Sequence, residues 1–139
     1  MCLWDSRSGA LLRRLPGAPP EPRGLCFLPD HRLLCVAADG LHLWQTAAPR
    51  YLGHLLPLPH DGALSLASTD APEHADPLAG TPRVVLYSAT PEVPALLRMT
   101  DLLISYPVSG WSRLCERSDL VGAALRGQAV PTLEALQHE

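Results

Sequence analysis

Two stretches decide the reading: LWDSRSGALLRRLPG (residues 3–17) and LHLWQTAAPRYLGH (residues 41–54). Each sets a leucine and a tryptophan ahead of a polar turn, followed by a short segment rich in Leu and Arg or Tyr. Trp4 and Trp44 stand 40 residues apart. A spacing of roughly 20–50 residues is the period of repeat architectures, in which each supersecondary unit buries its apolar face only by stacking on a neighbour.

Between the two tryptophans the pattern alternates with a period of two, which puts successive side chains on opposite faces of a strand. RGLCFLPD (residues 23–30) reads as a strand that ends in a turn at Pro29-Asp30. RLLCVAADG (residues 32–40) reads as a second strand, closed by the hairpin signal Asp39-Gly40. LHLW (residues 41–44) is a third, carrying Trp44, and RYLGHL (residues 50–55) is a fourth.

Four short strands, the third bearing a tryptophan, recurring at this spacing resemble a blade of the WD40 family of β-propellers. The resemblance spans residues 1–58 and rests on Trp4-Asp5, Pro29-Asp30, Asp39-Gly40, Trp44 and Gly53-His54, taken in their order. It implies a mainly β fold of antiparallel four-stranded sheets, with a blade and a half in residues 1–58. Those nine residues act in it as a structural repeat signature, with no catalytic, cofactor-binding or metal-binding role. The family also ties Asp, His, Ser and Trp side chains into a hydrogen-bonded network. Here Ala18 stands at the histidine position, Ala37 at the serine position, and Gln45 replaces the aspartate of the Trp-Asp pair. The resemblance therefore implies a divergent blade held by apolar packing alone.

Residues 59–116 read as a second, more divergent blade. GALSLAST (residues 62–69) and RVVLYSAT (residues 83–90) alternate as strands, and the Pro-rich, acidic residues 70–82 read as an inserted surface loop. DLLISYPVSGWSRLC (residues 101–115) parallels the first stretch, with Tyr106 at the tryptophan position and Gly110 after the turn. A competing reading makes residues 93–104 an amphipathic helix through Val93, Leu96, Leu97 and Ile104. Residues 117–139 form a helical tail: Ser118-Asp119 as N-cap, Leu120, Val121, Ala124 and Leu125 at helical spacing, Gly127 as terminator, and a second short helix from Pro131 through Glu134, Leu136 and Gln137.

Composition narrows the function classes. A formal charge of -3 over 139 residues argues against nucleic acid or an anionic membrane as partner. Arg13-Arg14 and Arg23 are read as solvated strand residues, with too few aromatics beside them to stack bases. No apolar run is long enough for a membrane helix, and the first residues lack a secretory pattern. The expected compartment is the cytoplasm, including cytoskeletal or ciliary assemblies. In that reducing setting Cys2, Cys26, Cys35 and Cys115 are expected to be buried apolar groups without disulfides.

The chemistry-bearing motifs are missing. The six histidines include no HExxH and no cysteine partner at zinc-ligand spacing, and His54 is read as the blade's Gly-His. GxSxG, GxGxxG and the P-loop are absent. Asp5, Asp39 and Asp101 sit where turns call for Asp rather than as a catalytic pair. The expected function is a non-enzymatic protein-interaction scaffold without cofactors; the alternatives are a sensor or regulatory module of a larger protein, and a small hydrolase. A propeller of four blades needs about 160 residues at this period, so the chain is expected to require further blades or to self-associate through open strand edges.

Overall fold

The computed structural model describes residues 1–17, 19, 21–59, 61–68, 84–91, 93, 98–101, 104–107, 115–131 and 135–136. Among these the chain forms β1 (Cys2–Trp4), β2 (Leu11–Arg14), β3 (Gly24–Leu28), β4 (Arg32–Ala37), β5 (Gly40–Gln45), β6 (Arg50–Pro57), β7 (Ala63–Ser68), β8 (Val84–Ala89), β9 (Arg98–Asp101), β10 (Ile104–Pro107) and the helix α1 (Ser118–Leu125). Among the described residues the fold is mainly β, with antiparallel sheets and the short helix α1 towards the C-terminus. The expected loop at residues 70–82, together with Ala18 and Gly110, lies outside the described residues.

The sequence divides the strands near residue 58 into separate four-stranded sheets. The structure instead pairs β3 to β8 as one six-stranded antiparallel meander, with β1–β2 and β9–β10 as separate two-stranded ribbons. The reason lies in the connection after β6. Leu58 N–H donates to the Gly62 carbonyl at 2.8 Å, Gly62 N–H donates to the Pro59 carbonyl at 3.3 Å, and Asp61 takes φ 58°. So tight a turn returns the chain beside the strand it has just left, and β7 pairs with β6 from Gly53↔Ala67 to Pro57↔Ala63. The helix read over residues 93–104 is not formed at its C-terminal end: Arg98–Asp101 is a strand paired with Ile104–Pro107.

Directly paired residues share a face of a sheet, so the registers assign its two sides. One face carries the cross-strand row Cys35, His42, His54, Leu66 and Tyr87. At one end of this face Leu33, Cys35, Trp44 and Tyr51 pack beneath Leu15, with Met1 and Leu3 of the first ribbon against them. At the other end Leu64 and Tyr87 pack with Val93 and Cys115. The opposite face carries the row Leu34, Leu43, Gly53, Ala67 and Leu86. There Ala67 and Leu86 pack beneath Val121 and Ala124 of α1 and Leu136.

Gly53 sets how closely the helix sits. A Cβ at that position would collide with the Leu66 carbonyl oxygen and lie 2.7 Å from Leu125 Cδ2. The helix begins at Ser118, with Arg117 rather than Ser118 as its cap residue. Arg117 is held one step earlier by β8: its N–H donates to the Tyr87 carbonyl at 3.1 Å, beside a parallel bridge between Tyr87 and Glu116. Gly127 ends the helix as the sequence predicts. Gln128 N–H donates to the Ala123 carbonyl at 3.0 Å and Gly127 N–H to the Ala124 carbonyl at 2.8 Å, the two bonds of a Schellman motif.

Two arginines complete that helix end. Arg32 Nη1 donates to the Leu125 carbonyl and Arg50 Nη2 to the Gly127 carbonyl, each at 3.2 Å, where the helix dipole favours positive charge. Gln45 lies between them in the register Arg32↔Gln45↔Arg50. It therefore serves the helix side of the sheet, whereas Asp5 at the matching point of the first stretch serves its own loop.

Candidate functional site

The two tryptophan stretches fold into hairpins of one register. In the first, Cys2 pairs with Arg14, Leu3 with Arg13 and Trp4 with Leu11, with a break in register between Leu3 and Trp4. In the second, His42 pairs with His54, Leu43 with Gly53 and Trp44 with Tyr51, with the break between Leu43 and Trp44. Every partner is displaced by the same 40 residues, and the bulge falls at the same point. A β-bulge bends and twists its strand, so the two ribbons carry one local shape. The second stands inside a sheet, and the first packs on that sheet's face.

The turns form as local chemistry requires. Asp5 Oδ1 accepts from the N–H of Arg7 at 3.0 Å, the N–H of Ser8 at 2.7 Å and the Ser8 hydroxyl at 2.8 Å. The Ser8 donors, with Arg7 behind them, hold its carboxyl below the usual range. Pro29 leads into Asp30 and His31, both left-handed at φ 62° and 57°, and the His31 carbonyl accepts from the Thr46 hydroxyl at 2.7 Å. Ala37 pairs with Gly40, so the β4–β5 turn consists of Ala38 and Asp39, one residue earlier than the Asp39-Gly40 signal suggests.

Asp39 is where the structure corrects the expectation of apolar packing alone. Its carboxylate Oδ1 accepts from His42 Nε2 at 2.8 Å, and its backbone carbonyl accepts from His54 Nε2 at 3.1 Å. A carboxylate only accepts, so His42 Nε2 is the donor to Asp39, and the Tyr51 hydroxyl lies 2.9 Å from His42 Nδ1. The two imidazoles stack with centroids 4.0 Å apart. Trp44 lies edge-on to Tyr51 at 5.4 Å, and its indole N–H donates to the Pro16 carbonyl at 2.7 Å. A polar network does form. It draws on His42, three residues beyond Asp39, and on its cross-strand neighbour His54, and so needs no serine at Ala37.

The electrostatics follow from burial in the midst of these contacts. Partial desolvation raises the Asp39 carboxyl, but the hydrogen bond from His42 and the fields of both histidines outweigh it and hold the group below its usual value. Desolvation, followed by the field of His42, pushes His54 down against the pull of Asp39. Burial and then the Asp39 charge push the Tyr51 hydroxyl and the Cys35 thiol up. Two donor atoms from histidine rings and one from a carboxylate lie within 4.8 Å of one another. Spacing alone conceals this set, because its members belong to a turn and two strands. The one sequence signal is the 12-residue step from His42 to His54, which spans a hairpin whose register opposes them.

A second feature lies where the first ribbon meets the edge of the sheet. A groove of about 300 Å³ runs there between Leu3, Trp4 and Leu12 on one side and Phe27, Thr46 and Ala47 on the other. Trp4 is 60% exposed and Phe27 68%, and Leu12 and Leu25 are open as well. Of the cysteines, Cys35 and Cys115 are buried as expected. Cys2 and Cys26 are exposed, because the first ribbon and the edge strand β3 are each covered on one side at most, and all four are free.

Among the described residues no helix is long and apolar enough to cross a membrane. Comparison of the chain with protein-family models, with curated proteins and with solved structures returned no match.

Proposed function

We propose that the chain is a non-enzymatic protein-interaction scaffold built from WD40-like repeat units. In this reading β3 to β6 are the four strands of one blade, and β1–β2 is the outer pair of the blade before it. Residues 59–116 are a divergent further unit, with β7 and β8 joined to the edge of its neighbour, and residues 117–139 are a tail. The observation that carries the reading is the repeated hairpin, with one register, one bulge and one tryptophan at a 40-residue offset. The packing of Leu15 and Leu3 on Trp44 adds to it, since neighbouring repeat units bury their apolar faces against each other.

The binding role rests on the open apolar surface of Trp4, Leu12, Leu25 and Phe27. Aromatic side chains are over-represented among the few residues that dominate protein interfaces. The partner in this reading is a protein, and the setting is cytoplasmic. Capture of a partner by the full chain, followed by reconstitution from purified components, tests it. Trp4→Ala with Phe27→Ala should weaken the binary complex by about tenfold or more while the circular dichroism stays the same. Equal binding by the wild type and the double variant would contradict the reading.

A further inference from the structure

We infer that Asp39, His42 and His54 form a mononuclear binding site for a divalent cation of zinc type. The ligands come from one hairpin and the turn before it. Asp39 sits in the β4–β5 turn, and His42 and His54 face each other across β5 and β6. Directly opposed cross-strand residues hold their Cβ atoms about 5 Å apart on one face, which lets two imidazoles reach one ion without moving the backbone.

The three donors lie within 4.8 Å of one another, close enough for one small ion to gather them. Zinc bonds nitrogen and oxygen ligands at about 2.0–2.2 Å, so the donors of a tetrahedral site lie roughly 3.4 Å from each other. In the metal-free arrangement His42 Nε2 is 2.8 Å from Asp39 Oδ1 and His54 Nε2 is 3.8 Å from Asp39 Oδ2, so each ring already faces this carboxylate. Binding turns the two rings out of their stacked arrangement, so that both Nε2 lone pairs point at one ion held by the Asp39 carboxylate. Two imidazoles and one carboxylate favour zinc and its transition-metal neighbours over the harder magnesium and calcium.

Support for the ligands is already built. The Tyr51 hydroxyl meets His42 Nδ1 at 2.9 Å, the outer hydrogen bond that orients most metal-bound histidines. On binding, the His42 ring carries its proton on Nδ1, where the Tyr51 oxygen accepts it, and Nε2 turns its lone pair to the ion. His54 moves its proton to Nδ1 in the same way. Gly40, at φ 135°, keeps space open beside the second ring, since a Cβ there would lie 3.0 Å from His54 Nε2. Three protein ligands leave a fourth position for water, reached from the exposed side of Asp39.

Titration of the full chain with ZnCl2 at neutral pH, followed by calorimetry and by the thermal midpoint, tests the site. The visible spectrum of the Co2+ form reports its coordination. We expect one ion per chain with a micromolar Kd, a tetrahedral Co2+ spectrum, and a midpoint that rises with Zn2+. His54→Gln, at a half-buried position, and Asp39→Asn should each weaken binding by at least about tenfold, and Tyr51→Phe by about tenfold through His42. His31→Gln, outside the cluster, should leave it unchanged. Absence of stoichiometric binding, or binding that survives both His54→Gln and Asp39→Asn in folded protein, would overturn the assignment.

Discussion

In the β5–β6 hairpin the indole of Trp44 is wholly buried beneath Leu15 and gives its N–H to the Pro16 carbonyl; in β1–β2 the indole of Trp4, at the same point of the same register, is 60% exposed. The hairpins agree in backbone and differ in what lies above them. Local pattern and turn chemistry produce the ribbon and its bulge, while the energy of a repeat comes from the neighbour that covers it. Burying a tryptophan removes about 150–250 Å² from water, roughly 4–6 kcal/mol at about 25 cal/mol per Å². The second hairpin has that term, and the first has little of it.

The widest separation between the two should appear on truncating the indoles. Trp44→Ala should destabilise the chain by about 3–5 kcal/mol in chemical denaturation, and Trp4→Ala by no more than about 0.5 kcal/mol. Similar losses for both would erase the contrast. The next position is Gly53, matched by Arg13 in the first hairpin. Gly53→Ala pushes a methyl into the Leu66 carbonyl and Leu125 and should cost about 1–3 kcal/mol. Arg13→Ala removes only an exposed bond to the Ala47 carbonyl and should cost less than about 0.5 kcal/mol.

A smaller contrast separates the two aspartates. Asp39→Ala strips the buried His42 of its acceptor and should cost about 1–2 kcal/mol; Asp5→Ala loosens an exposed turn and should cost less in the same assay. The mildest test is chemical rather than energetic. Cys2, opposite Arg14 in the first hairpin, and Cys26 should react with a maleimide in native protein. Cys35, beside His42, and Cys115 should react only after unfolding, since burial shields both and pushes both thiols up. Native labelling at Cys35 would mean that the sheet face at His42 is open.

What could be read from the sequence follows the same division. The strands from residue 24 to residue 57, the strands near residues 62–69 and 83–90, and the Gly127 stop were legible because period-two alternation and turn residues act within a few positions of themselves. The joining of β6 to β7 was not, because it depends on the short turn at Pro59 to Gly62 outweighing the expectation that a blade ends there. The Asp39 cluster was hidden for a related reason. His54 reads as half of a Gly-His pair in the chain, and only the pairing of β5 with β6 sets it opposite His42 and over Asp39. The helix position had a signal that pattern reading overlooked: Gly53 and Ala67 are small residues in the middle of otherwise large strands, and that gap is where α1 lies.

Residues 2–14 and 42–54 are two copies of one bulged hairpin. Cross-strand nuclear Overhauser contacts in isotope-labelled protein test it most directly. Two copies of one hairpin give Cys2 facing Arg14 and Leu3 facing Arg13, with a slip to Trp4 facing Leu11, and the identical series His42–His54, Leu43–Gly53 and Trp44–Tyr51. A different register in either hairpin, or a slip at another point in one of them, would contradict it.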